Sequence, residues 1–310
     1  MEKTEGKTAF ITGGASGIGL GIAKACVRHG MKVVITDVRQ HALDEAMSYF
    51  KKNGFPVHGI QLDVTDREAY VRAADEAEEV LGKIHVLINN AGVGTVGGGF
   101  TQNATFKDWD FVLGVNLGGV INGIVIILPR ILAHGEGGHV VATSSTNGLF
   151  AMRGNGVYNT SKFAVTGLME SLASDLCGTN VGVSLFCPGL VSSNLGVSTW
   201  EVRPDHLKNE GEQPPLPPKY KFVNVGMDPE EVGERVLQGI KRNDLFIFTH
   251  PEFKEGVRVR NEALLRAFPN EPVDERRRLV IRMGNSTVLY NPIYEMQTTP
   301  GPLNWPKNSR

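Results

Sequence analysis

The stretch that decides the fold is Thr12-Gly13-Gly14-Ala15-Ser16-Gly17-Ile18-Gly19, near the amino terminus. It follows the apolar run Thr8-Ala9-Phe10-Ile11 and opens an amphipathic stretch that ends near His29. This order predicts a strand, a glycine-rich turn and a helix, which is the context that a dinucleotide-binding fingerprint requires. The sequence therefore predicts a dinucleotide site close to the start of the chain.

The glycines of this turn allow the backbone to bend tightly and to approach a pyrophosphate. The pyrophosphate would then lie at the amino terminus of the following helix, where backbone N–H groups are free to bind it. The candidate cofactor-binding residues of the turn are Gly13, Ser16, Gly17, Ile18 and Gly19.

Apolar strands alternate with amphipathic helices along most of the chain. Predicted strands span 7–11, 32–36, 57–62, 84–88, 138–143, 181–187 and 245–249. Predicted helices span 18–29, 40–53, 66–81, 105–115, 119–134, 158–177 and 229–242. Unbroken apolar runs such as Val33-Val34-Ile35 are typical of parallel strands that are covered on both faces. The alternation predicts an α/β fold with a Rossmann-type, doubly wound parallel sheet.

We expect a single domain with two additions. Residues 1–250 would form the dinucleotide-binding and catalytic domain, and 251–310 a C-terminal extension with a helix over 252–267 and an irregular tail. Residues 194–227, which we name the lid segment, interrupt the alternation with five prolines and several charges. We expect this segment to be a long, loosely packed loop with at most a short helix, which becomes ordered over a bound substrate.

Polar residues follow the ends of the predicted strands, where the ligand crevice of such a sheet lies. Asp37 can accept hydrogen bonds from the adenosine ribose and would repel a 2′-phosphate, which favours NAD over NADP. Arg39 is the counter-argument, because a guanidinium can bind that phosphate. Asp63 and Val64 end the third strand, where the adenine would lie. Asn90 ends the fourth and can tie strand ends together through its amide.

Tyr158 and Lys162 lie four residues apart, so on a helix they share one face. Free tyrosine has a pKa of about 10, and a nearby ammonium together with the positive nicotinamide ring would lower it. Ser144 or Ser145 can donate a hydrogen bond to a substrate oxygen on which charge develops. These residue types predict proton transfer to or from an alcohol beside a nicotinamide cofactor.

In combination, these motifs resemble the short-chain dehydrogenase/reductase superfamily over about residues 6–250. The resemblance also rests on Asn89-Asn90-Ala91-Gly92, Asn116 and Pro188-Gly189. It implies that Tyr158 is the acid/base and that Lys162 lowers its pKa and binds the nicotinamide ribose. It further implies that Ser145 polarises the substrate oxygen and that Asn116 holds a water in a proton relay.

The same resemblance assigns two further features. Ser145 lies thirteen residues before Tyr158, the spacing usual in the family, and is therefore favoured over Ser144. Pro188 and Gly189 resemble the family's nicotinamide loop. Val191 and Ser193 stand where that loop commonly has a valine and a carboxamide-binding threonine.

Less specific motifs resemble the branch that contains the NAD-dependent Cα-dehydrogenases of lignin-derived aryl ethers. They span 108–111, 121–124 and 249–256. This resemblance implies an NAD-dependent short-chain alcohol dehydrogenase that interconverts a bulky, aromatic (benzylic) secondary alcohol and its ketone. Apolar candidates for the substrate pocket are Leu149, Phe150, Met152, Leu195, Trp200, Tyr220 and Phe222. The alternatives are a dehydrogenase of hydroxysteroids or other bulky secondary alcohols and, more distantly, a non-catalytic dinucleotide-binding regulator.

The net charge and the cysteine content indicate which kinds of partner to expect. The net charge of −1 favours neither nucleic acid nor an anionic membrane as a partner. The three cysteines lack metal-type spacing, so we expect no metal, and their small number suits a reducing cytoplasm. The polar amino terminus has no signal-peptide pattern. We therefore expect a cytoplasmic enzyme that acts on a small-molecule substrate. The family resemblance implies a homodimer or homotetramer whose contacts are made by helices 105–134 and 158–177.

Overall fold

Seven parallel strands form one doubly wound sheet in the computed structural model, which describes residues 1–96, 99–211, 225–284 and 290–306. The strands are β1 (Thr8–Thr12), β2 (Lys32–Asp37), β3 (Val57–Gln61), β4 (Ile84–Asn89), β5 (Gly138–Thr143), β6 (Val181–Cys187) and β7 (Phe246–Phe248). Their order is β3-β2-β1-β4-β5-β6-β7, and every pairing is parallel. The predicted Rossmann-type sheet is confirmed. The change of direction between β1 and β4 opens a crevice at the carboxyl ends of the strands.

Helices connect the strands and follow the last one. They are α1 (Gly17–Arg28), α2 (Gln40–Lys52), α3 (Arg67–Leu81), α4 (Phe106–Leu113), α5 (Gly119–His134), α6 (Gly156–Asp175), α7 (Leu195–Glu201), α8 (Pro229–Arg242), α9 (Lys254–Arg266) and α10 (Glu275–Gly284). A π-helical turn, Gly114–Gly118, joins α4 to α5. Local sequence sets several helix starts. Asp66 caps α3 by accepting from the Ala69 amide at 2.9 Å, and Asp228 caps α8, which begins with Pro229.

Alternate side chains of each strand enter two apolar layers, one on each face of the sheet. Phe10 and Val34 belong to the layer that α3, α5 and α6 cover. Ile11 and Ile35, one position further along, belong to the layer that α1, α2 and α8 cover. Burial on both faces explains why these strands have continuous apolar sequences.

The C-terminal extension contains more structure than the sequence indicates. α9 corresponds to the predicted helix, whereas α10 lies between that helix and the tail predicted to follow residue 283, where no element was predicted. The chain then returns to the body, where Ile293 is buried in the same apolar layer as α6. Thr298 donates to the Asp244 carboxylate at 2.6 Å. These contacts support the proposal that 251–310 extends one domain.

The stretch Phe106–His134, which runs from α4 through α5, is long and apolar enough to cross a membrane by length and composition. Half of its most apolar window is buried inside the protein. Ile127 and Ile131 of this stretch are completely buried in the layer beneath the sheet. Packing against the sheet therefore accounts for the apolar character of the buried half of this window.

Candidate active site

A cavity of about 680 Å³ lies at the carboxyl ends of the strands. It is lined by nearly all of the residues that the sequence predicted for the site: Gly13, Ser16, Gly17, Ile18, Asp37, Asp63, Val64, Asn90, Ser145, Tyr158, Lys162, Pro188, Gly189, Val191 and Ser193. The two predicted residues that do not line it are Gly19 and Asn116. The fold thus brings these residues together from the carboxyl ends of six of the seven strands and from the helices α1 and α6.

The glycine turn has the geometry that a diphosphate needs. Gly13 has a φ of +61° and Gly17 a φ of +51°, which L side chains rarely adopt. A Cβ on Gly19 would lie 2.1 Å from the carbonyl oxygen of Gly13, so only glycine allows the turn to close on the helix. Ser16, at the amino terminus of α1, makes no side-chain cap bond to the helix. The first amides of α1 thus fit a dinucleotide pyrophosphate.

Asp37 and Arg39, which the sequence sets against each other, form one ion pair beside the turn. Arg39 donates from Nε to Oδ1 and from Nη2 to Oδ2 of Asp37, both at 3.0 Å. Its Nη2 also donates to the Ser16 hydroxyl at 2.8 Å. The hydrogen bonds and charge of Asp37 raise the pKa of Arg39 against the opposing effect of burial. The guanidinium is therefore held by the carboxylate that was expected to meet the ribose.

Asn90 ties the ends of three strands together, as the sequence indicates. Its Nδ2 donates to the carbonyl oxygens of Thr12 at 3.1 Å and Gly13 at 3.2 Å. The Thr12 hydroxyl accepts from the backbone N–H of Asn90 at 3.0 Å, and the Thr143 hydroxyl donates to Asn90 Oδ1 at 3.3 Å. The amide side chain thereby holds β1, β4 and β5 in register around the glycine turn.

Tyr158 and Lys162 lie on the first two turns of α6. The Lys162 ammonium is 5.6 Å from the centre of the Tyr158 ring and donates to the Thr143 carbonyl at 2.9 Å. Burial lowers the pKa of Lys162 to about 8. Burial also raises the pKa of Tyr158, and a hydrogen bond with Ser145 lowers it in part. Desolvation, which no sequence pattern indicates, has the largest effect on the pKa of both groups.

The two serines after β5 have different surroundings. Ser144 donates to the Lys162 carbonyl at 2.9 Å and lies 3.1 Å from the Thr166 hydroxyl, so it is bound to the backbone and side chains of α6. Ser145 accepts from the Asn147 amide at 3.2 Å and hydrogen-bonds with Tyr158. The geometry favours Ser145 as the serine that shares a ligand with Tyr158.

Asn116 lies completely buried in the π-helical turn, a feature that often occurs at functional sites. Its Oδ1 accepts from the Val93 amide at 2.8 Å, and its Nδ2 donates to the Val93 carbonyl and the Ser161 hydroxyl, both at 3.0 Å. Ser161 in turn donates to the Tyr158 carbonyl at 2.7 Å. The amide tethers α6 to the loop after β4. Both N–H groups of the Asn116 side chain are used in these bonds. The side chain could therefore bind the relay water that the family resemblance implies only as an acceptor, through Oδ1.

The lid segment is packed over the cavity in residues 194–211, the longer of its two described parts. It forms α7 and a 3₁₀ turn, Asp205–Leu207. The Thr199 hydroxyl accepts from the Gly94 amide at 2.7 Å. The expectation of a loosely packed loop is wrong for this part, because it has specific long-range partners that its composition does not indicate.

The strongest of these contacts is a latch, which we define as Asp108, Arg203 and Asn209. Arg203 Nη2 lies 2.7 Å from Asp108 Oδ1, with both side chains 0% exposed, and Asn209 donates to the same oxygen at 2.9 Å. Asp108 also caps α4 with Thr105. Burial raises the pKa of Asp108, but the hydrogen bonds from Thr105, Arg203 and Asn209 outweigh it and lower the pKa. The capping box is readable from the sequence, whereas the latch is not.

The predicted apolar pocket is mostly wrong for the described residues. Of that group, Leu195 is the residue that lines the cavity. Phe150 packs instead on Phe253, with ring centroids 6.3 Å apart, and Lys208 covers the Trp200 ring at 5.5 Å. Tyr220 and Phe222 lie outside the described residues. Apolar residues that the sequence analysis missed line the cavity instead: Phe111, Val115, Leu190, Val202 and Leu207.

One trio in the described chain has metal-ligand chemistry, at the opposite end of the strands. His85, His134 and Glu136 bring ligand atoms within 4.8 Å of one another. His134 already uses both ring nitrogens, with the Ile84 carbonyl at 2.9 Å and the Glu136 amide at 3.1 Å. Two lysines also contact Glu136, and hydrogen bonds from His85 and those lysines lower its pKa. A hydrogen-bonded network explains this trio without a metal.

Comparison with known proteins agrees with this geometry. Residues 7–203 match the family model described as short chain dehydrogenase. A C alpha-dehydrogenase of Sphingobium sp. (strain NBRC 103272 / SYK-6) is 37% identical over 269 residues, which cover 86% of this chain and 87% of that protein.

Solved structures agree as well. A short chain dehydrogenase/reductase from Burkholderia phymatum in complex with NAD is 35% identical, with a TM-score of 0.79 and coverage of 88% of this chain and 100% of that one. The LigO apo form from Sphingobium sp. strain SYK-6 is 37% identical, with a TM-score of 0.74 and coverage of 97% and 100%. With the fold, the site and these matches in agreement, the chain belongs to the short-chain dehydrogenase family.

Proposed function

We propose that this chain is an NAD-dependent dehydrogenase that interconverts a bulky benzylic secondary alcohol and its ketone. The observation that carries the proposal is that Tyr158, Lys162 and Ser145 line the same cavity as the glycine turn at the start of α1. Similarity to a C alpha-dehydrogenase supports the substrate class. The NAD complex of the Burkholderia phymatum relative supports the cofactor.

The residues present fit a dinucleotide that runs the length of the cavity. The first amides of α1 would hold its pyrophosphate, Asp37 its adenosine ribose, and Asp63 with Val64 its adenine. The nicotinamide half would lie against Lys162 and the loop residues Pro188, Gly189, Val191 and Ser193. Because a phosphate against the Asp37 carboxylate is unfavourable, we expect NAD to be used at least about tenfold more efficiently than NADP.

A bound NAD would supply the hydride acceptor for alcohol oxidation. Tyr158 takes the proton from the substrate hydroxyl in that direction and returns it in ketone reduction. Its raised pKa suits the proton donor of the reduction. We expect the positive charge of the Lys162 ammonium to favour the phenolate that oxidation needs. With a pKa of about 8, this ammonium predominates at pH 7 and is lost as the pH rises further. Ser145 donates to the substrate oxygen.

Turnover of a substrate panel tests this function. With NAD as oxidant, we expect secondary alcohols of the 1-arylethanol and aryl-ether type to have kcat/KM values at least about tenfold above those of hydroxysteroids. The reason is that an apolar cavity favours the substrates whose shape fits it and whose apolar surface it buries. Faster turnover of hydroxysteroids would support the alternative dehydrogenase. Tight NADH binding without turnover of any alcohol would support the non-catalytic regulator.

We further propose a cytoplasmic homodimer or homotetramer that contacts its copies through α5 and α6. Ile121, Val125 and Leu132 lie on one exposed face of α5, and Val125 is 65% exposed. Such an apolar stripe is typical of an interface. In sedimentation at micromolar concentration, the wild type should be oligomeric and Val125→Asp should shift it toward monomer. Val80→Asp, at an exposed position of α3, is the matched control. A monomeric wild type would contradict the proposal.

A further inference from the structure

Arg39 lies between two carboxylates that come from distant parts of the chain. One is Asp37, which binds Nε and Nη2. The other is Glu201, the last residue of α7 in the lid segment, whose Oε2 lies 3.7 Å from Nη1 of Arg39. Every nitrogen of the guanidinium therefore faces a carboxylate, and the Arg39 side chain is only 11% exposed.

Glu201 is held in this position by a second contact and by the lid itself. Its Oε1 lies 3.3 Å from Nε2 of His41, at the start of α2. The latch holds Arg203, two residues further on, against α4. After the hydrogen bonds and charge of Asp37, Glu201 also contributes to the raised pKa of Arg39. The packed lid thus places a negative charge at the adenosine end of the cavity.

We propose that Glu201 is a second determinant of cofactor choice, which prevents Arg39 from binding the 2′-phosphate of NADP. The proposal rests on the proposed use of NAD and adds a residue to it. An arginine beside the ribose is a good phosphate ligand when its donor edges are free. Here Asp37 occupies one edge and Glu201 faces the remaining nitrogen. The preference for NAD would then depend on the lid as well as on the glycine turn.

Charge explains why two carboxylates act differently from one. Asp37, Arg39 and Glu201 carry a formal charge of −1 together, so a phosphate meets net repulsion. Removal of either carboxylate leaves the group neutral, and removal of both leaves Arg39 as an unpaired cation. Preference should therefore fall in two steps, and the second step should require Arg39.

The test measures the dissociation constants of NADH and NADPH by nicotinamide fluorescence at low ionic strength, which needs no alcohol substrate. Glu201→Gln should lower the preference for NADH about three- to tenfold, mainly through tighter binding of NADPH. Asp37→Asn with Glu201→Gln should lower it further, and adding Arg39→Gln should abolish the gain in NADPH binding. Asp205→Asn removes a 96% exposed carboxylate from the same lid and should change nothing.

An unchanged preference in Glu201→Gln, with a reduced one in Asp37→Asn, would overturn the role of Glu201 and leave the assignment of NAD intact. Equal changes in Glu201→Gln and Asp205→Asn would also overturn it, because they would show a general effect of charge. Equal binding of NADH and NADPH by the wild type would instead contradict the proposed cofactor. Thermal unfolding of each variant establishes that the compared proteins are folded.

Discussion

Replacement of Tyr158 by phenylalanine should lower kcat by roughly two to four orders of magnitude, while the affinity for NADH stays close to that of the wild type. The substitution keeps the ring, whose centre lies 5.6 Å from the Lys162 ammonium. It removes only the hydroxyl that hydrogen-bonds with Ser145. The glycine turn and the Asp37 pair are untouched, so the cofactor site should be preserved. Steady-state turnover of the best alcohol of the panel and a fluorescence titration with NADH give the two measurements.

The neighbouring serines provide a matched control. Ser145→Ala should also lower kcat strongly, because Ser145 is the proposed donor to the substrate oxygen. Ser144→Ala should have the smaller effect, since that hydroxyl is bound to the Lys162 carbonyl. Turnover close to that of the wild type in Tyr158→Phe would remove the tyrosine from the mechanism. A larger loss in Ser144→Ala than in Ser145→Ala would reverse the assignment of the two serines.

Replacement of Arg203 by methionine should lower the free energy of unfolding of the lid by about 3–5 kcal/mol. The reason is that the variant leaves the Asp108 carboxylate buried without its cationic partner. Hydrogen exchange of amides in α7 and in the turn at Asp205–Leu207 measures the loss locally, and denaturant unfolding measures it for the whole chain. In the wild type these amides should exchange slowly.

The pair of Arg235 and Glu231 on α8 supplies the control. It also joins an arginine to a carboxylate at 2.7 Å, but both side chains are partly exposed. Arg235→Met should therefore cost less than about 1 kcal/mol. Fast exchange of α7 in the wild type would contradict the latch and restore the sequence-based expectation of a loose lid. So would equal losses in Arg203→Met and Arg235→Met.

Local properties of the sequence were enough for the fold. The strands and helices that the sequence predicted lie within a few residues of their expected bounds, because side-chain periodicity and glycine conformations act over one to four residues. The glycine turn, with positive φ at Gly13 and Gly17, is such a local feature. The shared face of Tyr158 and Lys162 is another. For the same reason the predicted cofactor residues meet at one edge of the sheet, where parallel strands place their carboxyl ends.

Tertiary structure decided the features that depend on distant partners or on burial. Asp108 meets Arg203 across 95 positions, and Glu201 meets Arg39 across 162, so neither pair leaves a local pattern. The pKa values of Tyr158 and Lys162 follow from desolvation, which no spacing records. The sequence alone therefore determined the sheet, the glycine turn and the helix face that Tyr158 and Lys162 share. The ordered lid, its latch and the charge balance beside the ribose exist only once packing has excluded water from these groups.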